Sequence, residues 1–111
     1  MSNNNPTTLK ECFSALDEIL DIKEKAKILD MQEDDLSKLH HSLGRWMRNN
    51  WSLWSGGQLK DYFNKLEINH PDDISSIIIT SYWRYLRSEP LNVEAQVEKH
   101  LNYWKGLSVN G

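Results

Sequence analysis

The sequence predicts an all-α fold, a compact bundle of five to six short helices, on three observations. Apolar residues recur three and four positions apart along most of the chain. Hydroxyl, Asp or Asn caps stand in front of several of those stretches, two of them with Glu three residues on. The one run with strand propensity, Ile77-Ile78-Ile79-Thr80, is embedded in a longer helical period. A chain of 111 residues holds one such domain and no second core. The expected division is a disordered or extended tail over residues 1–8 and a single helical domain over residues 9–107.

Taken in order, Thr8-Leu9-Lys10-Glu11 has the form of a capping box. Leu9, Cys12, Phe13, Leu16, Ile19 and Leu20 follow at helical spacing, so the first helix runs from about Leu9 to Leu20. Asp21 and Glu24 repeat the arrangement and open a shorter helix to about Asp30. Gln32 to Asp35 form an acidic first turn, favourable against the helix dipole. Leu36, Leu39, Leu43, Trp46 and Met47 mark one face of a third helix ending at Asn49-Asn50. Gly44 within it implies close approach of a neighbour, an indole being the expected one.

Ser55-Gly56-Gly57 is the clearest break. Beyond it Leu59, Tyr62, Phe63 and Leu66 define a fourth helix. His70-Pro71-Asp72-Asp73 reads as a helix start, since Pro is tolerated in the first turn and acids suit that end. The helix behind it carries Ile74, Ile77, Ile78, Tyr82, Tyr85 and Leu86 and is broken by Pro90. Asn92 caps a last helix with Val93, Val97, Leu101 and Trp104 on one side and Gly106 as its expected stop.

Five Trp, four Tyr and two Phe supply bulky core material. The single cysteine, Cys12, falls on an apolar stripe and reads as a small buried hydrophobe. The start lacks the basic and apolar regions of a signal peptide, and the longest uninterrupted apolar run is far too short for a bilayer. A cytoplasmic protein with no membrane partner is expected. Net charge is −3, unevenly placed: residues 1–41 hold nine acids against five lysines, whereas residues 42–111 hold seven acids against eight bases. An acidic front half disfavours direct nucleic-acid binding and suits a basic protein.

Reactive constellations are missing from the sequence. His40 and His41 are adjacent, so on a helix their side chains diverge by about 100° and share one ion poorly. No His-x-x-x-His, Cys-x-x-Cys or Gly-x-Ser-x-Gly spacing occurs. The equal spacing of His40, His70 and His100 reads as coincidence, because their flanks differ. Neither a cofactor, a metal nor a catalytic residue is expected, and the chain is read as a non-enzyme.

The dense segment is Leu43 to Trp54, with three tryptophans and two arginines, and its composition is echoed by Ser81-Tyr82-Trp83-Arg84-Tyr85-Leu86. Such residues dominate binding hot spots, yet one face of each segment must be core. Arg45 or Arg48 would then lie over indoles or pair with Asp72 or Asp73.

At this segment the sequence resembles a small bacterial domain family of unknown function. The resemblance is carried by Leu43-Gly44-x-Trp46-x-Arg48-Asn49-Asn50-Trp51-x-Leu53-Trp54, His70-Pro71-Asp72-Asp73-x-Ser75 and Ser81-Tyr82-Trp83-Arg84-Tyr85-Leu86, within about residues 9–90. It implies an all-helical domain and carries over no catalytic residues. In role, a small acidic helical chain is similar to the immunity proteins of contact-dependent growth-inhibition systems, whose toxins are often basic nucleases. The leading expectation is therefore an immunity-type inhibitor that occludes a toxin's active site, with Asp30, Glu33, Asp34 and Asp35 as contact acids. The alternative is a small-molecule or peptide-binding module using Arg45, Arg48, Trp51, Trp54, Trp83 and Arg84.

Overall fold

The computed structural model describes residues 5–110, with side chains as far as Gly106. Residues 1–4 of the expected tail lie outside the described residues. Six α-helices follow in order: α1 (Leu9–Ile19), α2 (Ile22–Leu29), α3 (Arg45–Asn50), α4 (Gln58–Asn64), α5 (Pro71–Leu86) and α6 (Val93–Asn110). The fold is all-α, and no strand occurs among the described residues.

The caps behave largely as the sequence implies. Asp21 and Glu24 form a complete capping box on α2, with bonds of 2.8 and 3.0 Å. On α1 the Thr8 hydroxyl accepts from the Glu11 N–H, but the Glu11 carboxylate accepts from Thr7 rather than from the cap. Those bonds hold the Glu11 carboxyl below its usual range.

The stretch before α3 departs from expectation. In place of one regular third helix, a 3-10 segment (Glu33–Leu39) passes directly into a π turn (His40–Gly44), and regular helix begins only at Arg45. Across the change of pitch the leucines stay turned inward: Leu36 is buried, while Leu39 and Leu43 pack against the core. At the start of the π turn Arg48 Nη2 donates to the His40 carbonyl at 3.1 Å. Gly106 does not end the last helix, which continues to Asn110.

The core is organised on α5, which packs against every other element. Ile74, Ile77, Ile78, Ile79, Tyr82 and Trp83 are all buried, so the Ile-rich run is helix enclosed on several sides. Truncating one of these isoleucines to Ala costs about 2–5 kcal/mol by loss of contacts and cavity formation. Phe13, Leu16 and Cys12 of α1 meet this helix together with Met47, Leu53, Leu59, Phe63 and Ile68. Burial drives the Cys12 thiol well above its ordinary pKa. Asp17 receives two phenols, Tyr82 at 2.8 Å and Tyr85 at 3.0 Å, tying α1 to the far end of α5. Burial, then the Asp17 bond, pushes Tyr82 up as well.

Candidate functional site

The segment from Asp30 to Trp46 separates two depressions. On one side lies a polar cleft of about 420 Å³ against α5, lined by Glu33, Asp34, His40, His41, Ser76 and Thr80, with Lys99 of α6 at its edge. On the other lies an apolar groove of about 390 Å³ between the helices α1 and α2 and the π turn. Ile19, Leu20, Ile28, Met31, Leu39, Leu43 and the partly exposed Trp46 line that groove, together with Glu24, Lys27 and Ser42. Both volumes fall within the range of ordinary binding depressions.

The four sequence-predicted acids border this segment but are used differently. Asp35 accepts the Gln32 N–H at 3.3 Å and pairs with Lys38 at 3.5 Å, so it mainly shapes the turn. Glu33 pairs with Arg84 across the fold at 3.3 Å. Asp30 and Asp34 are exposed, and among the described residues their carboxylates have no hydrogen-bond or ion-pair partner. The outward negative charge is thus concentrated in two of the four.

The Arg and Trp residues of the alternative site separate into inner and outer groups. Arg48 is only 7% exposed, donates to Ser75 Oγ at 2.8 Å and to the His40 carbonyl, and places Nε 3.3 Å from Asp72 Oδ1. It therefore joins the π turn to the first turn of α5, as the expected pairing with Asp72 requires. Arg45, one turn earlier, faces solvent. Trp51 is buried edge-on to Trp46, and Trp83 is buried with its indole N–H donating to the Met31 carbonyl at 3.0 Å. Ser75 and Trp83 are eight positions apart on α5, about 12 Å along the axis, so the Arg48 and Trp83 groups occupy different ends of the helix. Arg84 holds Glu33 and the Pro90 carbonyl, while Trp54 is exposed. Gly44 does meet a close neighbour, but it is the Arg48 guanidinium in place of the expected indole.

Sequence reasoning missed a cluster at the start of α5. His40, His70 and His100, from three separate elements, surround Asp72 and Asp73. His70 caps the helix, its Nδ1 accepting the Asp72 N–H at 3.1 Å. His40 Nε2 lies 3.8 Å from Asp72 Oδ1, and His100 Nδ1 lies 3.1 Å from Asp73 Oδ1. Trp104 donates its indole N–H to Asp73 at 2.7 Å and stacks on His70. Burial, then the neighbouring Arg48 charge, lowers the His40 pKa. The available signal was His70-Pro71-Asp72-Asp73 itself, a helix start with an imidazole as its cap. Among the described residues no group of three or more His, Cys, Asp or Glu side chains is placed to hold a metal ion. Nor is any helix there long and apolar enough to cross a membrane.

These features define a helical domain built around one enclosed helix, with a charged and aromatic face at that helix's N-terminal half. A family model described as Domain of unknown function (DUF6794) matches residues 5–86, and the chain belongs to that family. The match ends with α5, so α6 lies beyond it. No curated protein and no solved structure matches the chain.

Proposed function

We propose that the chain is a protein-binding inhibitor of the immunity type, acting in the cytoplasm on a basic toxin domain, a nuclease, by covering its active site. The observation that carries this reading is the exposed, unpartnered Asp30 and Asp34, with Asp34 on the polar cleft and the apolar groove on the other side of the same segment. An apolar groove and, across the same segment, an acidic rim are the two parts of a protein interface: the first supplies burial, the second steers and selects a partner of opposite charge. A basic nucleic-acid-binding surface meets that rim favourably, and the chain needs no chemical step of its own.

The test is to mix the purified full chain with the toxin domain encoded beside its gene, measuring complex formation by calorimetry and residual toxic activity. A stoichiometric complex with loss of activity is expected. Asp30→Lys with Asp34→Lys should weaken it strongly, with the melting temperature nearly unchanged. Absence of a complex at micromolar concentration, with toxicity intact, refutes the reading.

A further inference from the structure

A row of exposed rings runs from Trp54 through His70 and Trp104 to Tyr103, and the acidic rim described above makes no use of it. Successive ring centroids are 6.3, 6.1 and 5.5 Å apart. Trp54, Trp104 and Tyr103 keep 56, 44 and 62% of their surface in solvent. Contiguous apolar exposure of this kind on a small chain marks a contact surface. Charge decides what it contacts. Aromatic faces carry negative potential, and the partly exposed carboxylate of Asp72, whose Oδ1 is held by Arg48, keeps its second oxygen, Oδ2, 3.9 Å from the His70 imidazole. Rings beside a carboxylate suit a flat, weakly hydrated cation, the guanidinium above all.

We infer that this row is an arginine-accepting docking surface for a basic protein, and that α6 is its specificity element; the inference rests on the reading of a basic partner given above. Trp54 and His70 come from the family-matched region, whereas Tyr103 and Trp104 come from the helix beyond it. Asp73 locks the two parts together through His100 and Trp104. The surface is also continuous with the polar cleft, because His40 lines that cleft and approaches Asp72. One partner can therefore engage the rings and the cleft that Asp34 lines together.

The experiment titrates the ¹⁵N-labelled full chain with N-acetyl-arginine amide, against sodium chloride at matched ionic strength, reading the indole N–H resonances. The Trp54 and Trp104 signals should move with the arginine probe alone, while those of the buried Trp51 and Trp83 stay. Trp54→Ala and Tyr103→Ala should each weaken the response about two- to fivefold, the range for an exposed cation–ring contact, and Trp54→Phe should restore it. Shifts that matched salt reproduces, no shift at all, or a response to single-stranded oligonucleotide in place of arginine would overturn the inference. Asp30→Asn with Asp34→Asn should leave this titration unchanged. An intact arginine response without any toxin complex therefore defeats only the proposed function, and a toxin complex without arginine response defeats only this inference.

Discussion

Replacing Gly44 with Ala tests whether the Arg48 guanidinium is a fixed part of the fold. A Cβ at Gly44 would sit 2.9 Å from Arg48 Nη1 and 3.5 Å from both the Ile79 side chain and the Leu39 carbonyl. The guanidinium cannot simply swing away, because its three nitrogens are engaged with Ser75, the His40 carbonyl and Asp72. Losing one hydrogen bond to a charged group costs about 1.5–3 kcal/mol. Ala in place of Gly inside a helix returns up to about 1 kcal/mol. The net effect is a destabilisation of about 0.5–2 kcal/mol, a fall in melting temperature of about 2–16 °C for a domain of this size. Gly106→Ala is the control: its Cβ meets nothing within 4 Å, so the melting temperature should hold or rise. The assay is thermal denaturation followed by circular dichroism, extended to a cycle with Arg48→Met. Without the guanidinium, Gly44→Ala should become neutral or stabilising. A Gly44→Ala single variant as stable as the parent would refute the reasoning.

Further outcomes follow from the same contacts. Cys12 should resist thiol reagents in the native state and react only as fast as the chain opens, because burial disfavours its thiolate; rapid labelling without denaturant would contradict this. His40 has a folded pKa below its ordinary 6.5, so the unfolded chain takes up the proton first. Its contribution is complete above that value and is lost as pH falls through the interval below it; His40→Gln should therefore show a smaller drop in melting temperature from about pH 7 to about pH 5. Trp104→Phe keeps a ring beside His70 but removes the bond to Asp73, and amide exchange in α6 should rise while that in α5 stays slow.

The helices with side-chain caps were legible because their signals are local. Asp21 with Glu24, and Pro71 behind His70, act within a single turn, and the structure uses them there. The 3-10 and π segment was not legible, because Leu36, Leu39 and Leu43 at spacings of three and four fit any helical pitch. A contact across eight residues, Arg48 Nη2 to the His40 carbonyl, accompanies the change of pitch, and no local spacing encodes it. Gly44 announced a close neighbour without saying which. The acids Asp30 and Asp34 were readable as charge, but only the fold shows that Glu33 and Asp35 have partners. The convergence of His40, His70 and His100 depends on three elements meeting at α5, and no periodicity encodes that.

The unequal exposure of the tryptophans has a spectroscopic consequence. Trp51 and Trp83 are shielded, whereas Trp54, Trp104 and, less so, Trp46 face water, so emission from the native chain should divide into a blue component that iodide cannot reach and a red one that it quenches. Anything seated over Trp54 and Trp104 would protect their share of the red component and leave that of Trp46 open to quenching. Occupancy of that end of the molecule can thus be followed by light from its own residues, with no dye attached.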